Sequence, residues 1–82
     1  MAQDPNTTET LPTDEELDRA GLELVVDGPV ARLTISRPER RNAMTGSTWT
    51  TMARIGRTLP EDVRVVVLAG KGDIFSAGID LN

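Results

Sequence analysis

The groups in this sequence able to act on another molecule fall into three short stretches. FSAGIDLN, residues 75 to 82, offers Ser76, Ala77 and Gly78, small enough to bring backbone close to a ligand, and a carboxylate at Asp80. RPERRNAM, residues 37 to 44, gathers Arg37, Arg40 and Arg41, and the guanidinium fork suits phosphate. VVVLAGKGDIF, residues 65 to 75, sets Gly70, Lys71 and Gly72 after an apolar run. His, Cys and Tyr are absent. That excludes a Ser-His-Asp triad, a Cys/His dyad and a zinc site with nitrogen or sulfur ligands. Carboxylates, one lysine and the backbone remain.

Each stretch has two readings. The glycine loop is half of a dinucleotide fingerprint, but the third glycine would fall at Phe75, and no Gly-Lys-Ser/Thr follows to make a P-loop. It reads better as a turn by which a buried strand leaves its sheet. The arginine stretch is either a solvated basic loop or a phosphate contact, with Asn42-Ala43 a small-residue spot leading into a helix. The last stretch is either a helix start, capped by Ser76 and favoured by Asp80 at the dipole, or an anion site of backbone N–H groups. In the second reading Gly78 permits close approach and the N–H of Ile79 points at the ligand. No side-chain acid or base is needed for that job.

The elements that must hold these stretches are few. Residues 1 to 20 read as a disordered acidic tail, with Pro5 and Pro12. One weak helical turn interrupts it, with Thr13 as N-cap, Glu16 three residues on and Gly21 as stop. LELVVDG and PVARLTIS read as two strands around Asp27-Gly28, a hairpin signal that Pro29 complicates. Pro38 turns Arg37 away from helical geometry. From Thr45 to Leu59, Met52, Ile55 and Leu59 follow helical spacing. Thr48, Thr50, Thr51 and Gly56 are poor helix formers there, so tertiary packing must hold the helix, and Pro60 ends it. Val65 to Ala69 is uninterrupted and apolar, as in a strand buried on both faces, and it is expected to be central in a complete fold, covered by elements this chain lacks. The order is β-β-α-β, then a loop into a helix.

Size and charge narrow the class. The chain has 82 residues and a net charge of −4, carried by six acids and no base in residues 1 to 18. Residues 19 to 82 hold nine bases and seven acids, a balance of +2. No basic stripe with interleaved aromatics is present, so no nucleic acid is expected. No signal peptide and no membrane span is read, and the expected setting is cytoplasmic. A domain this small buries only about 60% of its unfolded surface. Without a disulfide or metal, a partner or further chain is expected.

Taken together, VARLTISRPERRNAMTG, followed some thirty residues later by VRVVVLAGKGDIFSAGIDL, resembles the opening of the enoyl-CoA hydratase/isomerase (crotonase) superfamily, over residues 21 to 82. The resemblance implies an α/β fold, an incomplete crotonase-like spiral of ββα units. It implies an acyl-CoA thioester substrate of fatty-acid metabolism and no separate cofactor, coenzyme A being part of the substrate. Ile79 would donate one of two oxyanion-hole N–H groups. Arg41, Ala43 and Met44, with Ala77, Gly78, Ile79, Asp80 and Leu81, would line the CoA and acyl pocket. As a physical guess beyond the motif, Arg37, Arg40 and Arg41 would lie near the CoA phosphates.

The second N–H and the catalytic glutamates of the hydratases fall beyond residue 82. The chain is therefore expected to correspond to the first third of such an enzyme and to be inactive alone. A complementing C-terminal polypeptide or full-length homologous subunits are the expected partners. The alternative is a non-catalytic relic or CoA-binding fragment.

Overall fold

A computed structural model describes residues 9–80. The expected disorder of residues 1–8 lies outside them. The element order is α1 (Asp14–Ala20), β1 (Leu22–Asp27), β2 (Val30–Ile35), a 3-10 turn (Pro38–Arg40), α2 (Gly46–Thr58) and β3 (Val65–Gly70).

The weak turn expected near Thr13 is a helix built into the core. Thr13 and Glu16 form a reciprocal capping box, satisfying orphan N–H groups at the N-terminus. Gly21 closes α1 in the left-handed conformation, φ 72°, and Leu17 and Ala20 are buried. Residues 9–13 differ from the disorder expected of them. Arg57 grips the Glu9 carboxylate with two nitrogens, at 2.9 and 3.0 Å. Arg54 donates to the Thr10 carbonyl at 2.8 Å and to Glu16 at 2.7 Å. Cations at the end of α2 thus hold an acidic stretch that composition alone would leave loose.

Strands β1 and β2 pair antiparallel with Asp27 opposite Val30, so the connection is the two residues Gly28 and Pro29. Gly28 has φ 57°, while proline is fixed near −65°. A positive first and a negative second φ select a II′ turn, which matches the strand twist. Proline therefore picks the turn type and does not prevent the tight hairpin.

Strand β3 pairs parallel to β2, giving the order β1-β2-β3. The register places Leu22, Leu24 and Val26 on one face with Ala31, Leu33, Ile35, Val66 and Leu68. The helices cover only the β1–β2 part of that face. The core is Leu17, Ala20, Leu22, Leu33, Ile35 and Ile55, with Met44, Met52 and Leu59 packed against it. Strand β3 is the edge strand, with Val65 to Leu68 all exposed, and the elements expected to cover its apolar run in the complete fold are not among the described residues.

Helix α2 overcomes its poor propensity as expected, by packing. Thr45 and Thr48 form a second capping box, and the buried Thr48 hydroxyl donates to the Ala20 carbonyl at 2.8 Å. The threonine that weakens the helix in isolation thus ties α2 to α1.

Candidate functional site

Two loops meet beyond the ends of β2 and β3. The Ala77 N–H donates to the Arg41 carbonyl at 3.0 Å, Met44 N–H to Gly78 at 2.8 Å, and Asp80 N–H to Met44 at 2.8 Å. Met44 and Ile79 thereby form a one-residue parallel bridge. Where a helix start is expected at SAGIDL, the described residues 76–80 are not helical. Ser76 does not cap a helix: its hydroxyl donates to the Asn42 carbonyl at 2.8 Å and accepts from Gly78 N–H at 3.0 Å. Tertiary pairing with residues 41–44 has won over local helix propensity.

Asn42 makes this possible. It is 1% exposed and follows Arg41 in the left-handed region, at φ 57° and 55°, where asparagine is tolerated better than most residues. Its amide nitrogen donates to the carbonyls of Lys71 and Ile74, at 2.9 and 2.6 Å. Its amide oxygen accepts from Arg37 N–H at 2.8 Å. One buried side chain thus gathers the arginine loop and the glycine loop. A Cβ at Gly70 would overlap the backbone of Ile74 and Phe75, so glycine is what lets the second loop fold back over the strand end.

At the bridge the geometry leaves the Ile79 donor pointing outward. In the parallel bridge Met44 directs both its N–H and its carbonyl at the flanks of Ile79, so the N–H of Ile79 faces the other way. It has no acceptor among the described residues, and Ile79 is 66% exposed. Gly78, at φ 101°, sets the chain direction just before it. Ala43 and Met44 are half-buried, Ala77 is exposed, and Leu81 lies outside the described residues.

The arginines divide by role. Arg37 and Arg40 both pair with Asp80, at 3.3 and 3.2 Å, and the Asp80 side chain is 5% exposed. Arg41 is exposed and borders a cleft of about 220 Å³ with Asn42, Lys71, Gly72 and Asp73. Lys71 pairs with Glu23 at 3.0 Å, and that hydrogen bond is the first cause holding the Glu23 carboxyl below its ordinary value. Of the three arginines expected near phosphate, only Arg41 has no ion pair among the described residues. Arg37 and Arg40 are turned to internal use.

The model of the family described as enoyl-CoA hydratase/isomerase matches residues 26–82. The chain belongs to the enoyl-CoA hydratase/isomerase family. Among solved structures, a Thermobifida fusca YX protein assigned as an enoyl-CoA hydratase, in complex with CoA, is 62% identical with a TM-score of 0.87, over 90% of this chain and 29% of that one. A second structure from that organism, with acetoacetyl-CoA, is 64% identical with a TM-score of 0.86, over 88% of this chain and 28% of that one. Human mitochondrial Delta(3,5)-Delta(2,4)-dienoyl-CoA isomerase is 39% identical over 54 residues, 63% of this chain and 16% of the isomerase. This enoyl-CoA hydratase/isomerase family member thus spans less than a third of the length of the relatives it matches.

Within the family fold, sequence reasoning singled out the meeting loops but not their fastener. Asn42 reads as a small polar spacer, and its signal was the lone amide between basic residues and a helix start. An asparagine there satisfies left-handed backbone and bridges two carbonyls at once. Among the described residues no helix is long and apolar enough to cross a membrane.

Proposed function

We propose that this chain contributes the CoA-facing loops and one oxyanion donor of an acyl-CoA site of the hydratase/isomerase type. The observation that carries the reading is the outward N–H of Ile79, which the bridge holding its neighbours leaves without an acceptor among the described residues. A thioester carbonyl becomes enolate-like as charge develops, and a fixed N–H at that oxygen stabilises it. Losing one such donor in a completed site costs about 2.7 to 4 kcal/mol of transition-state stabilisation. The solved relatives bound to CoA and acetoacetyl-CoA support the substrate class, and exposed Arg41 beside the cleft is suited to a phosphate.

Turnover needs more than this donor. The one acid on segments 41–45 and 77–80 is Asp80, engaged with two arginines. General acid–base help is worth roughly 10² to 10⁴-fold. We therefore expect the 82-residue chain to bind acyl-CoA without hydrating crotonyl-CoA, and to join in catalysis only with a polypeptide supplying the second N–H and the carboxylates. Hydration above the buffer rate by the purified chain would overturn that.

Proline provides the test of the donor. Ile79 N–H makes no ladder bond, so Ile79→Pro removes the donor while the bonds of Gly78 and Asp80 can persist. Titrated with acetoacetyl-CoA, Ile79→Ala should stay within about twofold of wild type. Ile79→Pro should lose about three- to tenfold, the worth of one net hydrogen bond. Equal affinities for the two variants would remove Ile79 from the role.

A further inference from the structure

Arg37 clasps the two residues that flank the Met44–Ile79 bridge. Its Nη1 donates to the carbonyl of Ala43, just before Met44, and lies 3.3 Å from Asp80 Oδ2, just after Ile79. Arg40 holds the other Asp80 oxygen at 3.2 Å. The pair is partly buried, with side-chain exposures of 19% for Arg37 and 5% for Asp80.

Arg37 is itself held from three sides. Its N–H donates to the Asn42 side chain at 2.8 Å, and its carbonyl accepts from Arg40 and Asn42 at 2.9 and 2.8 Å. Its aliphatic stem lies against Gly21, where any Cβ would collide with it. The guanidinium therefore sits in one place, anchored to the cap of α1.

We propose that Arg37 and Asp80 are positioning residues for the Ile79 N–H. Met44 holds the two peptide planes beside Ile79 from one side only, its N–H on the Gly78 carbonyl and its carbonyl on the Asp80 N–H. The Asp80 side chain, held by Arg37 and Arg40, adds a second, charged hold to the short segment from which the Ile79 N–H projects. A donor aimed at developing charge must be held within a few tenths of an ångström, by neighbours that are themselves locked. The proposal rests on Ile79 as the carbonyl donor, and it assigns Asp80 to the backbone rather than to the ligand.

The experiment compares butyryl-CoA with its thioether analogue S-butyl-CoA, which carries the same CoA but no carbonyl. Wild type should prefer the thioester about three- to tenfold. Asp80→Asn, which is isosteric, should bring the ratio to about one with thioether affinity within about twofold. Arg37→Lys should do the same, since its ammonium ends one bond short of the Nη1 position that serves both acceptors. Amide exchange at Met44 and Asp80 should quicken in both variants while the circular dichroism spectrum is kept. Variants that keep the wild-type ratio, or lose both ligands in parallel, would overturn the clasp while leaving the donor in place. A wild-type chain with no thioester preference would overturn the donor, and the clasp with it.

Discussion

Strands β1 and β2 mix apolar and polar residues and bury much of their apolar set, whereas β3 is apolar from Val65 to Ala69 and stays exposed. Leu33 and Leu68 sit opposite each other in register on one face of the sheet, yet one is 5% exposed and the other 41%. The residues are identical, so the difference is coverage. Helices α1 and α2 lie over β1 and β2, and their reach ends before β3. Apolar character earns burial only where another element can be laid on top.

The sharpest way to break this comparison is to truncate each side. Ile55→Ala, at a site 1% exposed, should cost about 2 to 5 kcal/mol. In so small a domain that is enough to abolish the urea transition. Val67→Ala, on the bare strand, should change stability by no more than about 0.5 kcal/mol. A Val67→Ala cost near that of Ile55→Ala would mean that β3 is covered in solution. An apolar edge with unpaired backbone groups is a pairing surface, so sedimentation of wild type belongs beside the urea curves. We expect self-associated material, and a sharp monomer would contradict it.

Glycines sharpen the same contrast with smaller effects. Gly70→Ala forces a methyl group into the backbone of Ile74 and Phe75 and should cost about 1 to 3 kcal/mol, as overpacking does. Gly56→Ala, within α2 and facing open space, should stabilise by about 0.4 to 1 kcal/mol by reducing unfolded-state freedom. Two glycine-to-alanine changes should therefore shift the urea midpoint in opposite directions. The same sign for both would show that the folded-back loop is not packed as described.

These contrasts mark where the sequence was readable. Thr13, Glu16 and Gly21 announce α1, Thr45 and the 52–55–59 spacing announce α2, and the motif order announces the family. Those signals are local or carried by a specific combination. What escaped depends on residues far apart in the chain. The apolar run of β3 marks a strand made to be covered, but five residues do not say which elements cover it. The helix expected after Ser76 lost to a pairing with residues some thirty-five positions earlier. Asn42, the fastener of the site, shows its value only when Lys71 and Ile74 are beside it. The ion pairs of Arg37 and Arg40 could not be read from the cluster, because their partner, Asp80, lies some forty residues away.

The smallest expected effect concerns acid, and it separates the clasped N-terminal side from the open one. Glu16 is held down to about 2 from an ordinary value of 4.5, first by the Thr13 backbone N–H and then by the Arg54 guanidinium. Glu9 is lowered as well, first through its hydrogen bond with Arg57. A carboxyl with a depressed folded value stabilises the fold above its unfolded value and loses that contribution as pH falls through the folded one, because the unfolded chain binds more protons in between. The Glu16 contribution should therefore be complete above about 4.5 and fade toward about 2. Glu16→Gln isolates the charge, since glutamine at this position can still complete the capping box. Urea midpoints from pH 7 to pH 2.5 should fall less steeply for Glu16→Gln than for wild type, the two curves converging in acid. High salt should shrink the gap only in part, because it screens the half-exposed Arg54 pair but leaves the Thr13 hydrogen bond. Parallel curves across the range would show that the charge of Glu16 does not hold α1 against α2, and that the capping geometry alone suffices.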